Sequence, residues 1–197
     1  MSVRAGLTTE SIVQAAIALI DEQGPESLSL ASLASTFGVR SPSLYNHING
    51  LDGLRHRLVL AGLRALSEAI RASAVGRSGF EALHAMCHAY RAFARQHPGL
   101  YTMTLRSQEQ GDPELQQAGR ATVDVVLATL QAYNLPGDAA LHAVRYVRSV
   151  LHGFVSLEVG GGFGLPLELD TSFERMITAL DYGLRMSQQP AHEGATQ

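Results

Sequence analysis

Between positions 40 and 47 the chain places Arg40, Ser41, Pro42, Ser43, Tyr45, Asn46 and His47 around a single aliphatic residue, Leu44. These are side chains suited to reading a polynucleotide. A guanidinium forks onto a phosphate or a guanine edge, an amide pairs with adenine, and hydroxyl, phenol and imidazole groups bond base edges or phosphate oxygens. A helix face that merely meets water more often carries Glu beside Arg or Lys, and no acidic residue stands in this run. Ser29, which opens the segment in front, is expected at the same surface. A second set, His84, Cys87 and His88, suggests metal chemistry, because His residues four apart share one helical face. Arg91 and Arg95 continue that stripe and would repel a divalent ion, so neither a metal site nor a cofactor is expected.

Positioning the first set requires two short helices and a tight turn. Ser29 is a suitable N-cap for a helix that buries Leu30, Leu33, Ala34 and Phe37, and Gly38 accepts the positive φ of the turn. The next helix opens at Ser41, with Pro42 at the first helical position, where its missing N–H costs nothing. With Leu44 and Ile48 inward, a step of about 100° per residue turns Pro42, Ser43, Asn46 and His47 outward and Tyr45 to the side. This is helix-turn-helix spacing. Ordinary bundles also contain it, so geometry by itself leaves both readings open.

Helical periodicity governs the rest of the chain. A first helix opens at Thr8 or Thr9, carries Ile12, Ala15, Ala16, Leu19 and Ile20, and stops at Gly24-Pro25. A long connecting helix runs from Leu51 to about Ser73. Another, with Phe80, Leu83, Cys87, Tyr90 and Ala94 on one stripe, ends at His97 before Pro98-Gly99. Asp112-Pro113-Glu114 starts a further helix with an N-cap, a proline and an acid in the first turn. Two more are expected over about 138–159 and 171–186, the second opened by Thr171 and Glu174 in capping-box spacing. The expected fold is all-α with about nine helices: an N-terminal three-helix bundle with the helix-turn-helix at 1–50, a larger helical domain at 51–187, and a disordered polar tail at 188–197.

Of the 197 residues 46% are apolar and 17% charged, the composition of a globular chain. A lone cysteine excludes an internal disulfide and a cysteine-based zinc site. The net charge of -3 gives no overall attraction to nucleic acid, so binding must come from one local surface. Residues 29–72 supply Arg40, Arg55, Arg57, Arg64 and Arg71 against Asp52 and Glu68, an excess of three (5 minus 2). All 15 basic residues are Arg. With no secretory h-region and no apolar run of membrane-spanning length, the chain is expected in the cytoplasm. No Gly-rich phosphate loop follows a strand and no nucleophile elbow occurs, which speaks against an enzyme.

The run from Gly38 to Ile48, above all Leu44-Tyr45 followed by His47, resembles the recognition helix of the TetR family of transcriptional regulators. The helix Ile12 to Gly24 is similar to that family's first helix. His97-Pro98-Gly99-Leu100-Tyr101 and Leu151-His152-Gly153-Phe154 resemble the branch whose C-terminal domain is named for a Trp-His-Gly signature, with Arg148 where the tryptophan would stand. The resemblance implies a homodimeric repressor that binds a palindromic, double-stranded operator and is released by a small-molecule effector. It implies that Tyr45 and His47 contact phosphates and that residues at the start of the helix read bases. Members commonly hold a phosphate-binding Lys where this chain has Leu51, and only Arg4 is basic in the N-terminal extension.

Effector binding is expected within 51–160, in a pocket ringed by Tyr90, Tyr101, Met103, Arg148 and His152. Tyr101 and Met103 follow the Pro98 break, in a short segment able to line a cavity. Arg145, Arg148 and His152 fall on successive turns of one helix. If buried, they must meet an acid such as Glu158 or Asp124, an anionic ligand or the other subunit. Dimer contacts are expected from Leu141, Val144, Val147, Leu151, Phe154 and Val155 on one helix and Phe173, Met176, Ile177, Leu180 and Leu184 on the next. Gly153, unfavourable inside a helix, is expected to mark a close helix approach.

Overall fold

The computed structural model describes residues 7–105 and 111–187; Arg4 and the expected tail at 188–197 lie outside them. The fold is all-α, with no strand among the described residues. Eight α-helices run α1 Thr9–Gln23, α2 Leu30–Phe37, α3 Gly50–Ala74, α4 Gly79–Gln96, α5 Pro98–Leu105, α6 Pro113–Leu130, α7 Asp138–Val159 and α8 Leu169–Met186. A 3₁₀ helix, Ser41–Asn46, stands between α2 and α3. The chain divides into two compact units, Met1–Ser67 with Ala92–Thr122 and Glu68–Arg91 with Val123–Gln197.

In the first unit the helix starts follow the local signals. Thr8 and Ser11 form a reciprocal capping box on α1, and Ser29 and Ser32 do the same on α2, each satisfying backbone donors that the first turn leaves without partners. Asp112 caps α6 by accepting from the amides of Glu114 at 2.9 Å and Leu115 at 3.1 Å. The Leu115 amide, helped by Glu114 and His56, holds the Asp112 carboxyl below its ordinary range. Ile12, Ala16, Ile20, Leu33, Leu44, Leu54 and Leu58 are wholly buried and form the centre of this unit.

The short segment after Pro98 is a helix of eight residues, α5, with Gly99, Leu100, Tyr101, Met103 and Thr104 buried. Its start is bolted to α1. Asp21 accepts from the Leu100 amide at 2.9 Å and pairs with His97 Nδ1 at 2.8 Å, and Gly99 lies directly on the Ile20 carbonyl.

The second unit buries Leu83, Met86, Cys87, Val147, Leu151, Val155, Phe173, Ile177 and Leu180. Burial, and then the negative charge of Glu174, push the Cys87 thiol up to about 12. Such a thiol is a packing group rather than a nucleophile. Tyr133 donates to Asp181 at 2.6 Å, and Arg185 donates to the other oxygen of that carboxylate at 2.8 Å. The expected capping box of Thr171 and Glu174 does not form. α8 begins two residues earlier, at Leu169, after Glu168, which makes no side-chain cap. Glu174 is thereby carried past the first turn and is free to reach across to α4.

Candidate nucleic-acid interface

The Gly38 φ of 63° closes the turn after α2, and the amides of Gly38 and Val39 return to Ser35 and Ala34. The next element, Ser41–Asn46, is a 3₁₀ helix and not the expected α-helix, and this changes which side chains point out. At about three residues per turn, positions three apart lie one above the other. Ser41, Leu44 and His47 share the inner edge, Pro42 and Tyr45 a second, and Ser43 and Asn46 a third. Burial follows that division except at Ser43: Leu44 is buried, Ser41 and His47 are half-buried, and Pro42, Tyr45 and Asn46 are exposed, while Ser43 is half-buried. Tyr45, expected to the side, has 59% of its surface in solvent, whereas His47, expected outward, is turned partly in. Its carbonyl accepts from Thr9 Oγ1 at 2.8 Å, tying the end of this helix to the first turn of α1.

Arg40 is exposed and makes no ion pair among the described residues. Three other arginines of the local excess have partners: Arg55 pairs with Asp52, Arg64 with Glu114 and Arg71 with Glu68. Of the five, Arg40 and Arg57 make no ion pair among the described residues. Ser29 is engaged in its capping box, accepting from the Ser32 amide at 3.1 Å, which positions the α2 start.

An exposed phenol, amide and guanidinium on a short helix, braced by two helices behind it, is a surface able to enter a major groove. The family model of the tetracyclin repressor-like C-terminal domain matches residues 83–180. The chain is 35% identical over 191 residues to Rv0681 of Mycobacterium tuberculosis, an uncharacterized HTH-type transcriptional regulator, covering 96% of this chain and 86% of that one. It is 38% identical over 157 residues to YobS of Bacillus subtilis, also an uncharacterized HTH-type transcriptional regulator, covering 80% of this chain and 82% of that one. The chain belongs to the TetR family of transcriptional regulators. Its fold agrees: a TetR variant of Acinetobacter baumannii, solved in complex with minocycline, superposes with a TM-score of 0.69 at 20% identity, covering 93% of this chain and 99% of that one.

In this TetR-family chain the five expected effector residues are distributed unevenly. Tyr101 and Met103 belong to the first unit, Tyr90, Arg148 and His152 to the second. Tyr90, Tyr101 and Met103 are buried, His152 is half-buried with Ser156 Oγ 3.1 Å from its Nδ1, and Arg148 is exposed. Arg145 is exposed as well, so neither arginine needs the buried partner considered for it. The reason is the phase of α7, which buries Ala143, Val144, Val147, Leu151 and Val155 and leaves positions 145 and 148 on the wet arc. An open cleft of about 350 Å³ in the second unit, lined by Arg77, Ser78, Ala128, Thr129, Gln131, Ala132 and Asn134, includes none of the five.

Two arrangements in the second unit escape the sequence. Arg91 is buried and donates from Nε and Nη2 to the two oxygens of Glu158 at 2.8 and 2.6 Å, and its Nη1 lies 2.8 Å from Asp170. Its guanidinium also stacks 4.6 Å from the centre of the Phe173 ring. The Glu158 bond, ahead of the other contacts, raises the Arg91 pKa, so the charge is permanent. His84 and His88 each present Nε2 to one oxygen of Glu174, at 2.9 and 2.8 Å. Burial would raise the Glu174 pKa, but the two imidazole hydrogen bonds outweigh it and the net shift is downward. Only the α4 half of either group, His84, His88 and Arg91 on one stripe, is visible as a sequence pattern; the acids come from 67 to 90 residues away.

Proposed function

We propose that this regulator is a ligand-responsive transcriptional repressor, not an enzyme, that acts in the cytoplasm and binds a palindromic operator as a homodimer. The observation that carries the reading is the exposure of Tyr45 and Asn46 beside Arg40 on a helix whose inner edge is locked by Leu44. Tyr45 and His47 hold phosphates, Arg40 a phosphate or guanine, and Ser43 and Asn46 read base edges, with Ser41 and Pro42 at the groove wall and Ser29 orienting α2. Residues 1–50 serve DNA, and 51–187 serve dimerisation and the effector, in the manner of the Trp-His-Gly branch. Of the residues expected at the dimer seam only Leu141 is exposed; Val144, Val147, Leu151, Val155, Phe173, Ile177, Leu180 and Leu184 are buried within their own chain, and dimerisation through α7 and α8 is supported instead by Leu141, Tyr146, Tyr182 and Met186, which are between 44% and 67% exposed. Within its own chain Gly153 makes no close helix approach: beyond its own helix backbone and chain neighbours nothing lies within 4 Å of where a Cβ would be, so that face is open to a second copy. A second copy packed there would close a four-helix bundle. An effector, whose expected residues in the second unit are Tyr90, Arg148 and His152, shifts the dimer only by binding one state more tightly than the other.

Selection of bound genomic fragments followed by competition with point variants tests this reading. The selected site should be an inverted repeat with half-site centres about 34–36 Å apart, or somewhat more if the subunits splay. Tyr45→Phe should weaken all sequences alike, whereas Asn46→Ala should cost about 1–3 kcal/mol and relax preference at one position per half-site. Undiminished specificity in the double variant would remove this helix from the reading role. Sedimentation at micromolar concentration should give the dimer, and a purely monomeric boundary would contradict the proposed interface.

A further inference from the structure

We propose that His84, His88 and Glu174 form a binding site for one divalent transition ion of the zinc class. His84 and His88 are one turn apart on α4, their ring centres 4.5 Å apart, and Glu174 meets them from α8. One donor atom from each of the three lies within 4.8 Å of the others. A tetrahedral ion with bonds of about 2.0–2.1 Å places its donors about 3.3 Å apart, so the two imidazole–carboxylate contacts of 2.9 and 2.8 Å must lengthen by a few tenths of an ångström, and a donor pair as wide as the 4.8 Å limit must draw together by rotation of the side chains. The rings are held for the purpose. His88 stands edge-on to Phe173 at 5.3 Å, and His84 leans against Phe80 at 5.7 Å.

Two imidazoles and one carboxylate are a three-donor set for a borderline ion, with the fourth position left to water. Calcium and magnesium are disfavoured, since both demand a shell of oxygens and only one carboxylate is present. Side-chain exposures of 38%, 42% and 49% leave the cluster open to an ion from solution. In the metal-free chain an imidazole N–H points at each carboxylate oxygen. On binding, the ion takes the place of those protons, which move to Nδ1 or leave to solvent.

The electrostatic objection raised by the stripe loses its nearest member. Arg91, one turn beyond His88, is matched by two carboxylates, Glu158 and Asp170, so this corner of the second unit presents no uncompensated cation from that side chain. The bound ion would cross-link α4 to α8 within the second unit, at a place that makes no demand on the reading helix. The proposal therefore stands or falls separately from operator binding.

The test uses the full, tag-free chain stripped of metal. Titration with Zn2+ against a chromophoric chelator should give one ion per chain with a Kd in the micromolar range or tighter, and a higher Tm with Zn2+ than with chelator. Glu174→Gln, and separately the double variant His84→Gln/His88→Gln, should each weaken Zn2+ by about 100-fold or more, since losing an outer-shell partner alone costs 10–100-fold. Circular dichroism in chelator checks that the variants fold. Co2+ on the unaltered chain gives a reading that needs no variant: an intense visible spectrum of tetrahedral cobalt without a thiolate band, abolished by Zn2+. Absence of stoichiometric Zn2+ binding, unchanged affinity in both folded variants, or a weak octahedral cobalt spectrum would each overturn the site.

Discussion

Gly99→Ala should lower Tm by about 6–12 °C, from a destabilisation of about 3 kcal/mol. A Cβ built on Gly99 falls 2.0 Å from the Ile20 carbonyl oxygen, 2.3 Å from its carbon and 2.8 Å from the Asp21 nitrogen. Overpacked side chains usually find another rotamer, but these neighbours are the backbone of α1. The Ile20 oxygen cannot turn away, because it already accepts from the Gly24 amide at 2.9 Å. Relief has to come from moving α5 off α1, and that movement stretches the contacts of Asp21 with Leu100 and His97 as well. The control is Gly164→Ala, where a Cβ would meet nothing within 4 Å and the expected change is about 0.5 kcal/mol or less. Thermal unfolding of the two variants side by side decides the matter. Equal midpoints would mean that α1 and α5 are not in backbone contact.

Much of this architecture is legible in the sequence because its signals are local. Thr8, Ser29 and Asp112 act within a turn of where they stand, and Gly38 is read from one residue's backbone freedom. Where expectation and structure part, a non-local force is usually at work. Pro42 announces a helix start correctly, but a helix of six residues pinned by Leu44 below and by Thr9 on the His47 carbonyl adopts the tighter 3₁₀ winding, which exchanges the exposure of Tyr45 and His47. The Pro98-Gly99 break shows only one side of its role in the sequence. Its glycine serves contact with α1, about 80 residues earlier, and that contact gives α5 a packed face. Glu174 has a plausible local partner in Thr171 and takes two distant ones. His84 and His88 can be weighed only with the arginines of their own helix, because no pattern in α4 reports which acids α8 will bring to it.

Arg91→Ala should cost about 3–5 kcal/mol, more than removal of any of the exposed ion-paired arginines Arg55, Arg64 and Arg71. The Arg91 side chain is 6% exposed and Glu158 10% exposed, so truncation leaves a carboxylate with little water and no cation. Asp170, by contrast, is 83% exposed; Asp170→Asn should change stability by about 1 kcal/mol or less. Arg91→Lys should recover only part of the loss. An ammonium cannot reproduce the two parallel bonds to Glu158 or the planar stack on Phe173. The decisive comparison is Arg91→Met with and without Glu158→Gln, followed by denaturant unfolding at neutral pH. If the cost lies in the orphaned charge, the second substitution returns part of the stability lost to the first. If instead both variants are equally unstable, the loss belongs to the packing of the guanidinium between Phe154 and Phe173, and the ion pair contributes orientation rather than stability.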